Sequence, residues 1–238
     1  MRVDVALTLA LAPPADAARD VVVLDVLRAS STIVSALAAG AAGVLPLGSV
    51  EEAAARARVT GALLGGEREG LAPPGFDLGN SPREYDAARC AGRLVVLSTT
   101  NGTQAVLAAR GSRRVLAGCL LNVESTARAL AAGGARDVLL LCAGSRGEVA
   151  ADDVAAAGCL AGHLLLLAAA QPTDAARVAL GLFDAWKHDL PGLLGRSISG
   201  RRLAGIGLSR DIDDCAHVDT LKLVAELDRE GVFRKAVC

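Results

Sequence analysis

Aromatic side chains are nearly missing: three Phe, one Trp and one Tyr make up 2% of 238 residues. With so few rings, the core has to be built from Ala, Val and Leu, which favours close helix-on-sheet packing. Net charge is almost absent too, since 25 Lys and Arg stand against 26 Asp and Glu, leaving −1. No overall positive field exists to collect the phosphates of a nucleic acid, so a nucleic-acid partner is not expected. Intrinsic disorder is excluded by a hydrophobic content of 52%. The six cysteines, at positions 90, 119, 142, 159, 215 and 238, form no Cys-x-x-Cys pair and match no zinc template. Cys119 and Cys142 end apolar runs and read as small buried hydrophobes. Cysteines of this kind fit a reducing cytoplasm.

No membrane segment is expected either. Val154–Ala170 is near-continuously apolar but falls short of the roughly 20 residues that a bilayer crossing needs, and it carries His163 and two glycines. A buried Ala/Leu helix fits better. At the N-terminus, Val3, Val5, Leu7, Leu9 and Leu11 alternate with other residues. That is the period of a strand, and Asp4 stands where a signal peptide would be basic.

What is present is a repeated unit of apolar strand, polar turn and helix. Strands are expected at 21–24, 44–47, 62–64, 94–97, 115–117 and 138–141. Helices follow to about Ala39, from Ser49, to about Arg110 and over Glu124–Ala132. The alternation predicts one α/β domain over residues 1–238: three layers, α/β/α, around a largely parallel or mixed sheet. Toward the C-terminus, Thr173–Leu190 reads as an amphipathic helix and Gly195–Gly205 as a basic, glycine-bearing segment. Leu208–Cys215 reads as an acidic turn before a final helix or strand. The Ala/Leu helices leave room for a homodimer.

In open α/β sheets ligands bind outside the carboxyl ends of the strands. The loops there carry Asp25, Arg28, Ser30, Ser31 and Thr32; Glu67 and Arg68; and Ser98, Thr99, Thr100, Asn101 and Gly102. Hydroxyls and glycines opening a helix present backbone N–H groups to an anion, and arginines add bidentate contacts. Carboxylates nearby suit Mg²⁺. Each residue has a plainer reading. Ser and Thr before a helix are ordinary caps, Glu67-Arg68 could be a surface ion pair, and Asp152-Asp153 could simply favour the dipole of the helix they open. No P-loop, dinucleotide fingerprint or nucleophile elbow occurs. The joint occurrence of polar residues at successive strand ends is what favours a site.

Five ordered motifs resemble the 2-phosphosulfolactate phosphatase family almost end to end. They are Val22-Val-Leu-Asp-Val-Leu-Arg-Ala-Ser-Ser-Thr-Ile-Val34, Leu64-Gly-Gly-Glu-Arg68, Gly75-Phe-Asp-Leu-Gly-Asn-Ser-Pro82, Ser98-Thr-Thr-Asn-Gly-Thr103 and Cys142-Ala-Gly144. The resemblance implies a Mg²⁺-dependent phosphatase that converts 2-phospho-3-sulfolactate to 3-sulfolactate and phosphate, a step of coenzyme M biosynthesis in methanogens. It implies that Asp77, Asn80 and Ser81 line the site and draws Gly144 in with them; Asn122, after the strand at 115–117, is a further candidate. Two departures stand out. Glu69-Gly70 follows Arg68 where the family has Gly-Gly, and Ser199 occupies a place where relatives commonly have His.

A small anion bearing phosphate, carboxylate and sulfonate needs several oxyanion donors and charge neutralisation. The expected assignment has Mg²⁺ on Asp25 and Glu67, with Asp211 or Asp214 as further ligands. Arg28 and Arg68 clamp oxyanions, and the nucleophile is metal-activated water or Asp25 itself. An aspartyl-phosphate route would want a second acid two residues on, where Leu27 stands. A Cys-x5-Arg loop is excluded because Glu148 occupies the Arg position. The alternatives are a phosphatase for another phosphorylated 2-hydroxy acid and a non-catalytic anion binder.

Overall fold

The computed structural model describes residues 1–236, so Cys238 lies outside the described residues. The elements run β1 (Arg2–Ala6), β2 (Asp20–Leu24), α1 (Ala29–Ala38), β3 (Gly43–Pro46), α2 (Val50–Thr60), β4 (Leu63–Gly66), α3 (Ala87–Cys90), β5 (Leu94–Ser98), α4 (Gly102–Ala109), β6 (Arg114–Gly118), α5 (Val123–Ala132) and β7 (Asp137–Cys142). They continue with α6 (Ala151–Ala168), β8 (Gln171–Pro172), α7 (Asp174–Trp186), α8 (Leu190–Arg196), α9 (Ile198–Gly205), α10 (Ser209–Cys215), β9 (Val224–Leu227) and β10 (Phe233–Ala236).

The strands form one mixed ten-stranded sheet in the order β4-β5-β3-β10-β9-β6-β2-β7-β1-β8. Helices cover it to give three layers. β4, β5 and β3 are parallel to one another, as are β6, β2, β7, β1 and β8. The hairpin β9–β10 joins the two groups, pairing antiparallel with β6 on one side and β3 on the other. The two parallel groups therefore run in opposite senses. The central strands β2 and β7 read as unbroken apolar runs because both faces are covered.

Several expectations needed correction. The N-terminal strand stops at Ala6, where its pairing with β7 ends, and Leu9–Leu11 turns as a short 3-10 helix that leaves Leu11 exposed. The alternation beyond Ala6 had no strand to pair with. Gly195–Gly205 is helical, because Ser197 accepts the Gly200 N–H and starts α9 directly after α8. Leu208–Cys215 is mostly helix rather than turn.

Helix α6 is long and apolar enough by length and composition to cross a membrane. Here Val154–Ala161 and Leu164 are buried, and the helix packs against α5, α7, β1, β2 and β7. It is a core helix, as its composition suggested. At its middle the α6–α7 contact is close enough that a Cβ on Gly158 would collide with the Ala179 carbonyl and the Phe183 side chain. Small residues let these backbones approach where a larger residue would hold them apart. Gly158→Ala is therefore expected to destabilise the protein by about 1–3 kcal/mol despite the better helix propensity of Ala, read as a lowered denaturation midpoint at unchanged m-value.

Candidate active site

Strand β2 ends on Leu24, and Asp25 follows it into a tight turn that opens α1. The turn is built from its own polar groups. Ser30 Oγ accepts the Asp25 N–H at 3.0 Å and donates to the Val23 carbonyl, Ser31 Oγ donates to the Val26 carbonyl, and Asp25 Oδ1 accepts the Ala29 N–H at 3.1 Å. The Gly102 N–H at the start of α4 also reaches the Asp25 carboxylate. Asp25 is thus fixed from two helix openings while still lining a cleft.

Glu67 enters from the end of β4. Gly66, at φ +144°, lies so close to the Ser98 carbonyl that any Cβ would collide with it. That approach turns Glu67 inward, where its Oε1 accepts the Thr100 N–H and its Oε2 the Gly70 N–H, both at 2.8 Å. Glu67 is buried and forms no ion pair with Arg68, so the surface-pair reading is excluded.

Two further acids complete the cluster. Asp152 and Asp153, in the first turn of α6, are 1% and 2% exposed. Asp153 binds back to the β2 and β7 ends, its Oδ1 accepting the Val26 N–H at 2.8 Å and its Oδ2 the Gly144 N–H at 3.0 Å. Asp152 Oδ1 is buried with no hydrogen-bond partner. Burial, with the neighbouring Asp152 and Glu67 charges, pushes the Asp25 carboxyl up to about 7. Burial likewise lifts Asp152 to about 6, against the opposing pull of Ser197, and burial beside Asp152 and Asp25 lifts Asp153 well above the carboxylate range. Sequence reading assigned Asp152-Asp153 to the helix dipole. The signal it passed over was the doubling of acids at the head of an otherwise apolar helix that follows a central strand.

The opposite wall comes from the C-terminal helices. Arg28 is 3% exposed; its Nη1 donates to Asp211 at 2.6 Å and its Nη2 to the Gly70 carbonyl at 2.7 Å. Asp211 also accepts from Ser81 Oγ at 2.6 Å. This pair ties the β2–α1 turn to α10 and leaves α9 across the cleft mouth. The cleft is lined by Asp25, Leu27, Arg28, Glu67, Gly70, Asn80, Asn101, Ser199, Arg202 and Leu203. Leu27, Gly70, Arg202 and Leu203 were not named as site residues from sequence, and Ser199 stood out only as a departure from the family; helix α9 lies far along the chain from the strand ends it covers.

Of the residues named from sequence, Asp25, Arg28, Glu67, Asn80 and Asn101 line the cleft. Asn80 is 4% exposed with Oδ1 unpartnered, and Asn101 Oδ1 accepts the Arg146 N–H. The remaining residues named from sequence lie outside the cleft lining. Ser30 and Ser31 spend their hydroxyls on the β2–α1 turn, and Thr32 donates to the Asn80 carbonyl. Arg68 donates to the carbonyls of Glu67, Ser98 and Gly48 and to Ser98 Oγ, so its guanidinium braces backbone and does not line the cleft. Thr99 Oγ1 accepts the Thr103 N–H, Thr100 meets Glu67 through its N–H, and Gly102 and Gly144 act through their N–H groups. Asp77 is exposed and accepts the Leu64 N–H. Asn122 is fully buried, bridging Cys119, Ala117 and Leu223 away from the cleft. Asp211 is committed to Arg28 and Ser81, and Asp214 pairs with Arg83 at the surface, so neither joins Asp25 and Glu67. Among the described residues no three His, Cys, Asp or Glu side chains form a ready-made metal cage.

Comparison with known proteins gives a consistent result. The profile of the family described as 2-phosphosulpholactate phosphatase matches residues 7–230. Proteins named "Probable 2-phosphosulfolactate phosphatase" are similar along most of their length. One from Deinococcus radiodurans is 44% identical over 208 residues, covering 86% of each chain. One from Thermus thermophilus is 43% identical over 199 residues, covering 83% of each. One from Carboxydothermus hydrogenoformans is 40% identical over 208 residues, covering 87% of this chain and 85% of its own.

Two outcomes are expected of this arrangement. Arg28→Ala strips the counter-ion from a buried Asp211 and should cost about 3–5 kcal/mol, measured by denaturant unfolding, whereas Arg83→Ala at the exposed pair should cost under about 1 kcal/mol. Asp152 has a folded-state pKa raised from 3.8 to about 6, so its ionisation opposes folding, and stability falls as pH rises through that window. With EDTA present, Asp152→Asn should therefore raise Tm at pH 8 and change it little at pH 3, below the window. An equal shift at both values would mean that charge is not the cause.

Proposed function

The chain belongs to the 2-phosphosulfolactate phosphatase family, and we propose that it hydrolyses 2-phospho-3-sulfolactate to 3-sulfolactate and inorganic phosphate. The observation that carries this reading is the convergence of Asp25 and Glu67 on one cleft, backed by Asp152 and faced by Asn80, Asn101 and Arg202. Such a site pairs neutral and cationic donors for oxyanions with carboxylates that have too few counter-charges.

A divalent cation fits those carboxylates. Asp152 Oδ1 is buried without a partner, and burial, with its acidic neighbours, pushes the Asp25 carboxyl up to about 7; a cation relieves both conditions. We assign it as Mg²⁺, which Asp25 and Glu67, the two of these acids that line the cleft, would hold. Mg²⁺ keeps several waters and takes substrate phosphate oxygens, so two protein carboxylates suffice. When bound, it neutralises charge developing on the phosphoryl group.

The remaining work falls to the chain. Asp25, anchored by the Ala29 and Gly102 N–H groups, lines the cleft, where it orients the attacking water. The water oxygen bonds to phosphorus, the bond from phosphorus to the C2 oxygen breaks, and a water proton ends on the sulfolactate hydroxyl. Attack by water is favoured over attack by Asp25 because Leu27 stands where an aspartyl-phosphate route would want its second acid. Asn80 and Asn101 offer amide donors to phosphate oxygens. Leu27 and Leu203 give the cleft apolar edges that limit water access. The free, buried Cys90, Cys119, Cys142, Cys159 and Cys215 suit the cytoplasmic setting we propose for the enzyme.

Phosphate release from 2-phospho-3-sulfolactate is the direct test. Release in Mg²⁺ that stops with EDTA is expected, and Asp25→Asn should lower kcat by about 10³-fold with an unchanged circular dichroism spectrum. Near-wild-type turnover by that variant would remove Asp25 from the reaction. Release from 2-phospholactate in preference to the sulfonated ester would redirect the reading to another 2-hydroxy acid.

A further inference from the structure

The substrate assigned above carries two anionic groups besides its phosphate, a carboxylate and a sulfonate. The cleft residues that could meet them are few. Arg28 faces the cleft, but its charge is matched at 2.6 Å by Asp211 and both its Nη atoms are used. Arg68 is spent on backbone carbonyls. Arg146, in the loop after β7, pairs with Glu69 in the open.

Helix α9 differs. Ser199, Arg202 and Leu203 all line the cleft, and their i, i+3, i+4 spacing puts them on one face of the helix. Leu203 is buried and locks that face inward. The neighbouring arginines are occupied elsewhere: Arg196 lies 5.2 Å over the Trp186 ring, and Arg201 donates to the Arg196 carbonyl. Among the described residues, Arg202 is the one cleft-lining cation that makes no ion pair and no side-chain hydrogen bond. It is half-buried, so a ligand that met it would be partly withdrawn from water, where a guanidinium-to-oxyanion contact gains strength.

We propose that Arg202, with Ser199 one turn before it, is the subsite for the substrate's non-phosphate oxyanion, the sulfonate or carboxylate carried beyond the ester bond. The inference rests on the phosphatase reading, and it makes α9 the element that selects an anionic 2-hydroxy acid ester over a plain phosphate monoester. With Mg²⁺ bound, Asp25 and Glu67 would hold the phosphate end. Arg202, across the mouth, holds the other end.

Calorimetric binding without turnover tests this separately from the reaction. The probes are 3-sulfolactate, isethionate (sulfonate alone), lactate (carboxylate alone) and inorganic phosphate, each titrated in Mg²⁺. Wild-type protein should bind 3-sulfolactate about 10- to 100-fold more tightly than Arg202→Ala. Arg202→Lys should restore part of the loss, and affinity for inorganic phosphate should fall far less than affinity for 3-sulfolactate. A larger loss for isethionate than for lactate assigns the sulfonate to Arg202, and the reverse assigns the carboxylate. Equal weakening toward phosphate and 3-sulfolactate, or no weakening at all, overturns the proposal, as does failure of wild-type protein to bind 3-sulfolactate. Arg202-dependent binding without phosphate release would uphold the subsite and remove the hydrolytic reading instead.

Discussion

Carboxylates resist leaving water together, and the centre of this protein brings four of them out of water at once. Asp25, Glu67, Asp152 and Asp153 are each less than a tenth exposed. Burial raises Asp25, Asp152 and Asp153 alike, and for Asp25 and Asp153 the neighbouring acids add to it. The fold answers with backbone N–H groups. Ala29 and Gly102 serve Asp25, Gly70 and Thr100 serve Glu67, and Val26 and Gly144 serve Asp153. Asp152 Oδ1 is left over. Much of the local architecture, including the tight turn after β2 and the glycine approach of β4 to β5, exists to deliver those N–H groups.

The second constraint is the buried pair Arg28–Asp211. A pair of this kind contributes little net stability by itself, but removing either partner is costly. Its effect is to fix where the C-terminal helices sit, and with them the wall of the cleft. Ser81 joins the same carboxylate, so the segment after β4, the turn after β2 and α10 share one anchor. Strand-end position drew attention to Arg28, family resemblance to Ser81, and Asp211 was expected as a further metal ligand. The geometry gives Ser81 and Asp211 the work of holding the site in shape and gives Arg28 both that work and a face on the cleft.

Much was legible in the residues. The strands at 21–24, 44–47, 94–97, 115–117 and 138–141 were readable because each is a short apolar run closed by turn chemistry. Asp25 and Glu67 were readable because a charged residue at a strand end has no packing reason to be there. The hydroxyls of Ser30, Ser31, Thr32, Ser98 and Thr99 look like an anion cradle in one dimension, yet those of Ser30, Ser31, Thr32 and Thr99 meet backbone groups of their own turns or a neighbouring loop, and Ser98 Oγ accepts from the Arg68 guanidinium. A side chain that completes a turn and one that binds a ligand have the same sequence signature. Asp152 and Asp153 went unread for the opposite reason, since acids at a helix start are ordinary and only burial reveals them as unusual.

The sequence by itself determined the layered α/β class, the positions of most strands, the apolar character of α6 and the family, because these follow from local periodicity and ordered motifs. It could not determine that β9 and β10 enter the middle of the sheet, since nothing in a short C-terminal strand names its neighbours. That insertion reverses the sense of one parallel group against the other, so the strand ends meeting at the cleft are set by pairings between residues far apart in the chain. The same holds for Arg202, whose place opposite Asp25 depends on a turn and a buried ion pair joining positions 28 and 211. Local chemistry is written residue by residue; which groups face one another across a cleft is decided only when distant elements pack.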